Sequence, residues 1–134
     1  MDPAPRHQAR ERALTLLYEA ELKDRPPGEI VDELPVPPDP YTAALVAEVE
    51  TRATEIDGLI DGAAIGWDLP RMAVVDRNVL RMAVAELLAF ADVPVPVILN
   101  EAVELASSYS TDDSGRFVNG VLATLAAELR PGPS

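Results

Sequence analysis

The sequence predicts an all-α protein, a compact helical domain packed through small side chains, and two observations predict it. Hydrophobic residues make up 48% of the 134-residue chain, yet they include only one Trp, three Tyr and two Phe. Alanine and leucine supply much of the rest, a mix that suits close-packed helices better than a β-sandwich. Apolar residues also recur at three- and four-residue spacing in one segment after another, with no alternating pattern to compete and no internal repeat. The length fits one domain over 1–134, large enough to bury a core.

The first helix is expected from Arg6 to Lys23, where Ala9, Ala13, Leu16, Leu17 and Ala20 form one stripe. Asp24 to Pro40 follows as a connector holding six of the thirteen prolines, each lacking a backbone donor and restricting its predecessor. A short helical turn fits around Ile30 to Leu34. Tyr41, Leu45 and Val49 open a second helix. A capping pattern at Thr54 and Asp57 predicts a break there. Ile56, Leu59, Ile60 and Ala63 mark a third helix, and Gly66 to Pro70 a turn.

The fourth helix, Val75 to Ala91, is apolar on most faces (Val79, Leu80, Ala83, Val84, Leu87, Leu88, Phe90), the mark of a central helix. Asp92-Val93-Pro94 ends it. Pro96 suits the first turn of a fifth helix, where its missing donor costs nothing, with Ile98, Ala102, Leu105 and Ala106 as its face. Thr111, Asp112 and Asp113 are cap candidates for a sixth, striped by Val118, Val121, Leu122, Leu125 and Leu129. The tail, 131–134, is expected to fray.

Composition excludes several functions. With no cysteine, disulfides, thiolate catalysis and Cys-ligated zinc are ruled out. No apolar run reaches the ~18–20 residues of a membrane span, and Met1 to Glu11 lacks the apolar stretch of a signal peptide, so a cytoplasmic protein without membrane contact is expected. The formal net charge of −12 repels phosphate on average. Its distribution matters more. Glu29 to Asp61 carries nine acidic residues and one basic residue, Arg52, whereas basic residues gather at Arg6, Arg10 and Arg12 and at Arg71, Arg77 and Arg81.

Three segments carry candidate chemistry. Arg6 and Arg10 lie one helical turn apart with His7 beside them. They sit at a helix start, where the backbone dipole disfavours cations by roughly 0.3–1 kcal/mol each. Phosphate binding explains that placement, because free N–H groups and guanidinium forks then aim at one point; the competing reading is a solvated basic helix start. Asp76 reads as a helix cap, and Arg77 and Arg81 share a face that serves either phosphate or neighbouring acids. In Asp112 to Gly120, Phe117 is placed either to stack on a base or to join the core. The two aspartates read as cap residues rather than metal ligands, and Gly120 hints at a close helix–helix contact. No nucleophile motif or glycine-rich phosphate loop supports an enzyme, and no metal or cofactor is expected. Glu86, on an otherwise apolar helix, reads as a hydrogen-bonded structural carboxylate or one at a protein interface rather than a catalytic group.

Together these stretches resemble the NusB family of bacterial antitermination factors. The likeness rests on Arg6-His7-Gln8-Ala9-Arg10-Glu11 with Ala13, Leu17 and Tyr18; Val75-Asp76-Arg77 running to Leu80-Arg81-Met82-Ala83 and Glu86-Leu87; Asp92-Val93-Pro94; Asn100-Glu101-Ala102-Val103-Glu104-Leu105-Ala106; and Phe117-Val118-Asn119-Gly120-Val121-Leu122. The resemblance implies two three-helix subdomains, binding to boxA-type RNA (notably in ribosomal RNA leaders), pairing with the ribosomal protein NusE, and action with other Nus factors on elongating RNA polymerase. It places Arg6, His7, Arg10, Arg81, Asp113, Arg116 and Phe117 on the RNA side, and Tyr18 and Asp76 at the NusE face. The fuller family motif has arginines where His7 and Gln8 stand, which implies weaker and more pH-sensitive RNA binding here. Family members occur as monomers and homodimers. Two alternatives stand beside this reading: a helical protein-interaction module without RNA binding, and the front of a ribosomal RNA methyltransferase, for which the chain holds no donor-binding domain.

Overall fold

The structure, a computed structural model, describes residues 3–132. Among them are seven α-helices and one 3-10 turn, with no strand: α1 (Pro3–Leu22), α2 (Pro27–Asp32), α3 (Pro40–Thr51), α4 (Ala53–Ala63), the 3-10 turn (Leu69–Arg71), α5 (Val74–Ala89), α6 (Val95–Tyr109) and α7 (Asp112–Leu129). None of these helices is long and apolar enough to cross a membrane.

The helices form two three-helix subdomains. α1, α2 and α3 pack on one another, α5, α6 and α7 do the same, and α4 leans on α5 and α7. One hydrophobic cluster runs through both, and α5 is its centre, with Val79, Leu80, Met82, Ala83, Val84, Ala85 and Leu87 all buried. The expected α1 stripe, Ala9 to Ala20, is buried throughout. Asp24 ends α1 in the left-handed conformation (φ 53°), while the Arg25 amide donates back to the carbonyl of Ala20 at 2.9 Å.

The Pro-rich connector folds in part. Its helical turn begins at Pro27, earlier than expected, because proline suits a first turn and because Arg25 grips Glu29 (3.3 Å) and Glu33 (2.9 and 2.6 Å). The break between α3 and α4 falls at Arg52 rather than Thr54. Thr111 is the cap of α7, its hydroxyl accepting from the Ser114 amide at 3.0 Å. Asp76 does not cap α5; it lies in the first turn and accepts from the Ser114 hydroxyl of α7 instead.

Gly120 is not the point of close approach. Nothing lies within 4 Å of where its Cβ would stand. Gly115 takes that role, since a Cβ there would collide with the Ser107 hydroxyl and press on Val103 of α6. Arg130, beyond the last turn of α7, closes the C-terminus of α5, donating to the carbonyls of Leu87 (3.0 Å), Glu86 (2.9 Å) and Phe90 (2.8 Å). Of the tail expected to fray, 131 and 132 follow without helix, and 133 and 134 lie outside the described residues.

Candidate nucleic-acid interface

Because α1 begins at Pro3 rather than Arg6, the two arginines expected to meet phosphate are its fourth and eighth residues, beyond most of the free N–H groups of its first turn, and they part company. Arg6 is half-buried, its guanidinium carbon 4.0 Å from the centroid of the Tyr41 ring. Arg10, on the same face, is 2% exposed. Its Nε donates to Glu86 Oε1 at 2.9 Å, its Nη2 to Glu86 Oε2 at 2.8 Å, and its Nη1 to Glu101 Oε1 at 2.9 Å. The Tyr41 hydroxyl donates to Glu86 as well, at 2.7 Å. Burial alone would ease the Arg10 proton off, but the hydrogen bond and charge of Glu86 outweigh it and hold the guanidinium cationic. Burial, then the charge of Glu86, pushes the Tyr41 phenol well above its ordinary value. Arg10, expected on the RNA side, is here enclosed by two carboxylates and a ring and positions α1 against α5 and α6. Glu86 is the hydrogen-bonded structural carboxylate expected.

His7 stays at the surface of the same cluster. Its Nδ1 is 2.7 Å from Glu101 Oε2 and its Nε2 3.7 Å from Glu11. The hydrogen bond to Glu101 raises its pKa above 6.5, against a smaller opposing effect of burial. Donor atoms of His7, Glu101 and Glu104 lie within 4.8 Å of one another, the spacing of a cation site. Both oxygens of Glu101 are already engaged there, by Arg10 and by His7.

The outward stripe of α1 changes character along its length. Pro5, Gln8, Arg12, Thr15, Tyr18 and Leu22 are all exposed, at three- and four-residue spacing. The N-terminal half offers a cation and polar groups. The C-terminal half offers Tyr18 and Leu22, two large exposed apolar side chains.

Arg81 is also held inward. It pairs with Asp57 (2.9 and 3.2 Å) and Glu21 (2.9 Å), and Arg77 binds the same Glu21. Arg77 and Arg81, the latter expected on the RNA side, are thus both paired with neighbouring acids. Glu21 in turn is held below the ordinary glutamate value, the hydrogen bonds from both arginines overcoming the larger single effect of burial.

On α7, Asp113 and Arg116 are exposed and paired with each other. Phe117 is half-buried and meets the ring of Trp67 edge-on, centroids 6.1 Å apart at 66°. These two rings, with Met72, Asp76 and Ser114, line a cleft of about 380 Å³ that has Arg71 and Asp113 among its walls. Asp76, expected at a protein face, is therefore a buried group shared with residues expected on the RNA side. Sequence reading missed Trp67, taking it only as part of a turn, and no periodicity marks a residue whose partner lies fifty positions away on another helix.

The comparisons with known proteins agree with this architecture. The family model described as the NusB family matches residues 7–127. The transcription antitermination protein NusB of Acidothermus cellulolyticus is 47% identical over 128 residues, covering 91% of this chain and 87% of its own. That of Thermobifida fusca is 44% identical over 133 residues, covering 96% and 93%. Among solved structures, T. maritima NusB superposes with a TM-score of 0.85 at 36% identity, covering 93% of this chain and 92% of its own. A chain from the crystal structure of antitermination factors NusB and NusE in complex with dsRNA superposes with a TM-score of 0.78 at 29% identity, covering 92% and 96%. With two three-helix subdomains around α5 and a family match across nearly its whole length, the chain belongs to the NusB family.

Proposed function

We propose that the chain binds boxA-type RNA, notably in ribosomal RNA leaders, together with the ribosomal protein NusE, and acts with other Nus factors on elongating RNA polymerase. As a member of a family whose relatives bear the name transcription antitermination protein, it is a factor of that kind and not an enzyme. A structural neighbour at 29% identity, described with NusE and double-stranded RNA, supports both partners.

The observation that carries this reading is the divided outer stripe of α1, with Gln8 and Arg12 at one end and Tyr18 and Leu22 at the other. One helix can then serve RNA through its N-terminal half, with Arg6 and His7 beside it, and a protein through its C-terminal half. Arg10 and Arg81 support these faces from within. Arg116 and Phe117 extend the RNA side onto α7. Arginines neutralise phosphates and release counterions, and single-stranded bases are read by stacking and hydrogen bonds.

The test is fluorescence anisotropy of a labelled boxA-type RNA, with and without NusE, at two salt concentrations. If about three phosphates are neutralised, log affinity falls against log salt with a slope of roughly −2, and Arg6→Ala/Arg12→Ala makes it shallower by about 1.4. Tyr18→Ala weakens NusE capture. A folded protein that captures NusE but binds no RNA in any condition would leave a protein-interaction module, which the acidic net charge and the exposed Tyr18 and Leu22 favour.

A further inference from the structure

We propose that the cleft between the α4–α5 connection and α7 is a nucleobase subsite, in which Trp67 and Phe117 hold an RNA base while Asp76 accepts a hydrogen bond from its exocyclic amine, so that adenine, cytosine or guanine is favoured over uracil. The inference rests on the RNA reading above and adds a site and a base preference to it.

Three observations converge on this cleft. Asp76 is 8% exposed, and its Oδ1 has no hydrogen-bond partner among the described residues, while Oδ2 takes the Ser114 hydroxyl at 3.1 Å. An orphaned buried carboxylate oxygen costs stability, and the first-turn dipole of α5 gives it only partial relief. A donor arriving from the cleft would supply the missing bond. Second, the cleft holds about 380 Å³, and Trp67 stands 52% exposed in its wall. Because its ring and that of Phe117 are set at 66°, a flat base stacks on one and meets the edge of the other. Third, Arg71 is exposed at the same cleft, a counter-charge for the phosphate of the inserted nucleotide.

The choice of base follows from the acceptor. A carboxylate oxygen can only accept while ionised, and cytosine N4, adenine N6 and the guanine amine all donate. Uracil offers one donor, N3–H, flanked by two carbonyl oxygens that a carboxylate repels. A lysine or arginine side chain from a protein would also satisfy Asp76, but it would leave the two rings without a flat partner and would meet Arg71 as well as Asp113 on entry.

Trp67 is the only tryptophan in the chain, so its fluorescence reports on this cleft alone. The experiment titrates the full chain with short oligo-rA, oligo-rC and oligo-rU while following Trp67 emission, with anisotropy of a labelled boxA-type RNA in parallel. Oligo-rA and oligo-rC are expected to quench Trp67 at concentrations roughly tenfold below oligo-rU. In Asp76→Asn, whose amide serves uracil as readily as cytosine, that preference disappears while the melting curve is kept. Phe117→Ala weakens all three. RNA that binds by anisotropy without changing Trp67, or that quenches all oligonucleotides alike in both proteins, overturns the subsite and leaves RNA binding standing. A response to a lysine-rich peptide alone overturns it in favour of a protein side chain. No RNA binding at all removes the RNA reading and the subsite with it.

Discussion

Arg10 and Glu86 meet through two parallel hydrogen bonds, at 2.9 and 2.8 Å, across 76 residues of sequence and with both side chains buried. Such a pair is costly to break from one side, because the remaining charge is left in the interior. Arg10→Ala would leave Glu86 with only the Tyr41 hydroxyl, and stability should fall by about 3–5 kcal/mol. Urea denaturation would show this as a lower midpoint at unchanged slope. An Arg10→Ala protein as stable as its parent that nevertheless lost RNA would return Arg10 to the binding surface.

The position of His7 predicts a pH dependence. It faces Glu101 and Glu104 on α6 and Glu11 on its own helix, with Arg10 one residue short of a turn away, and the net effect raises its pKa above 6.5. A raised folded-state value means that the imidazolium's contribution to stability is fully present below about 6.5 and is lost as pH rises through the folded-state value. RNA affinity should weaken over the same window, since only the protonated ring neutralises phosphate. His7 is the only histidine, so its ring can be followed by NMR without assignment ambiguity, alongside anisotropy. A midpoint at or below 6.5 would reject the Glu101 contact as the controlling one, and His7→Gln should flatten the RNA profile.

The two glycines of α7 should respond in opposite directions to alanine. Gly115→Ala forces a methyl onto the Ser107 hydroxyl and against Val103, so Ser107 must turn away or α6 and α7 move apart, at a cost of up to about 1–3 kcal/mol. Gly120→Ala meets nothing and gains helix propensity, roughly 0.5–1 kcal/mol. Thermal melts of the two variants would order them on either side of the parent; equal shifts would mean that α6 and α7 are not in the close contact described.

Arg130→Ala should be the most damaging change at the C-terminal end of the described chain. It strips charged donors from the last carbonyls of α5, with an expected loss of about 2–3 kcal/mol. Arg130→Lys should recover only part of this, because an ammonium lacks the guanidinium fork that reaches several carbonyls at once. Full rescue by lysine in a denaturation curve would show that charge, and not geometry, is what matters.

Much of the fold was legible because it depends on local periodicity. The stripes of α1, α5 and α7 and Pro96 in the first turn of α6 each follow from a few neighbouring residues, whereas Pro27 and Pro40, read as connector, open α2 and α3. The interior polar contacts were not legible in the same way. Arg10 carries the same guanidinium as Arg6, and carboxylates 76 and 91 residues away decide that one is buried. Gly120 and Gly115 likewise differ in what α6 brings against them, not in their own helix. For Trp67 and Asp76, the partners come from α7, so neither a turn motif nor a cap motif could disclose the cleft they share.

The clamp of Arg130 on α5 also sets an order of events during synthesis. Chains leave the ribosome N-terminus first, and their domains fold as units once enough has emerged. The helix that both subdomains pack against therefore lacks a donor at its Leu87 carbonyl, and a second donor at Glu86 and Phe90, until residue 130 is outside the ribosome. A nascent chain paused between α6 and α7 would hold its central helix without that closure, a natural point of recognition for chaperones and proteases. Emergence of this last arginine thus adds the final side-chain hydrogen bonds to a helix whose apolar faces the earlier helices already cover.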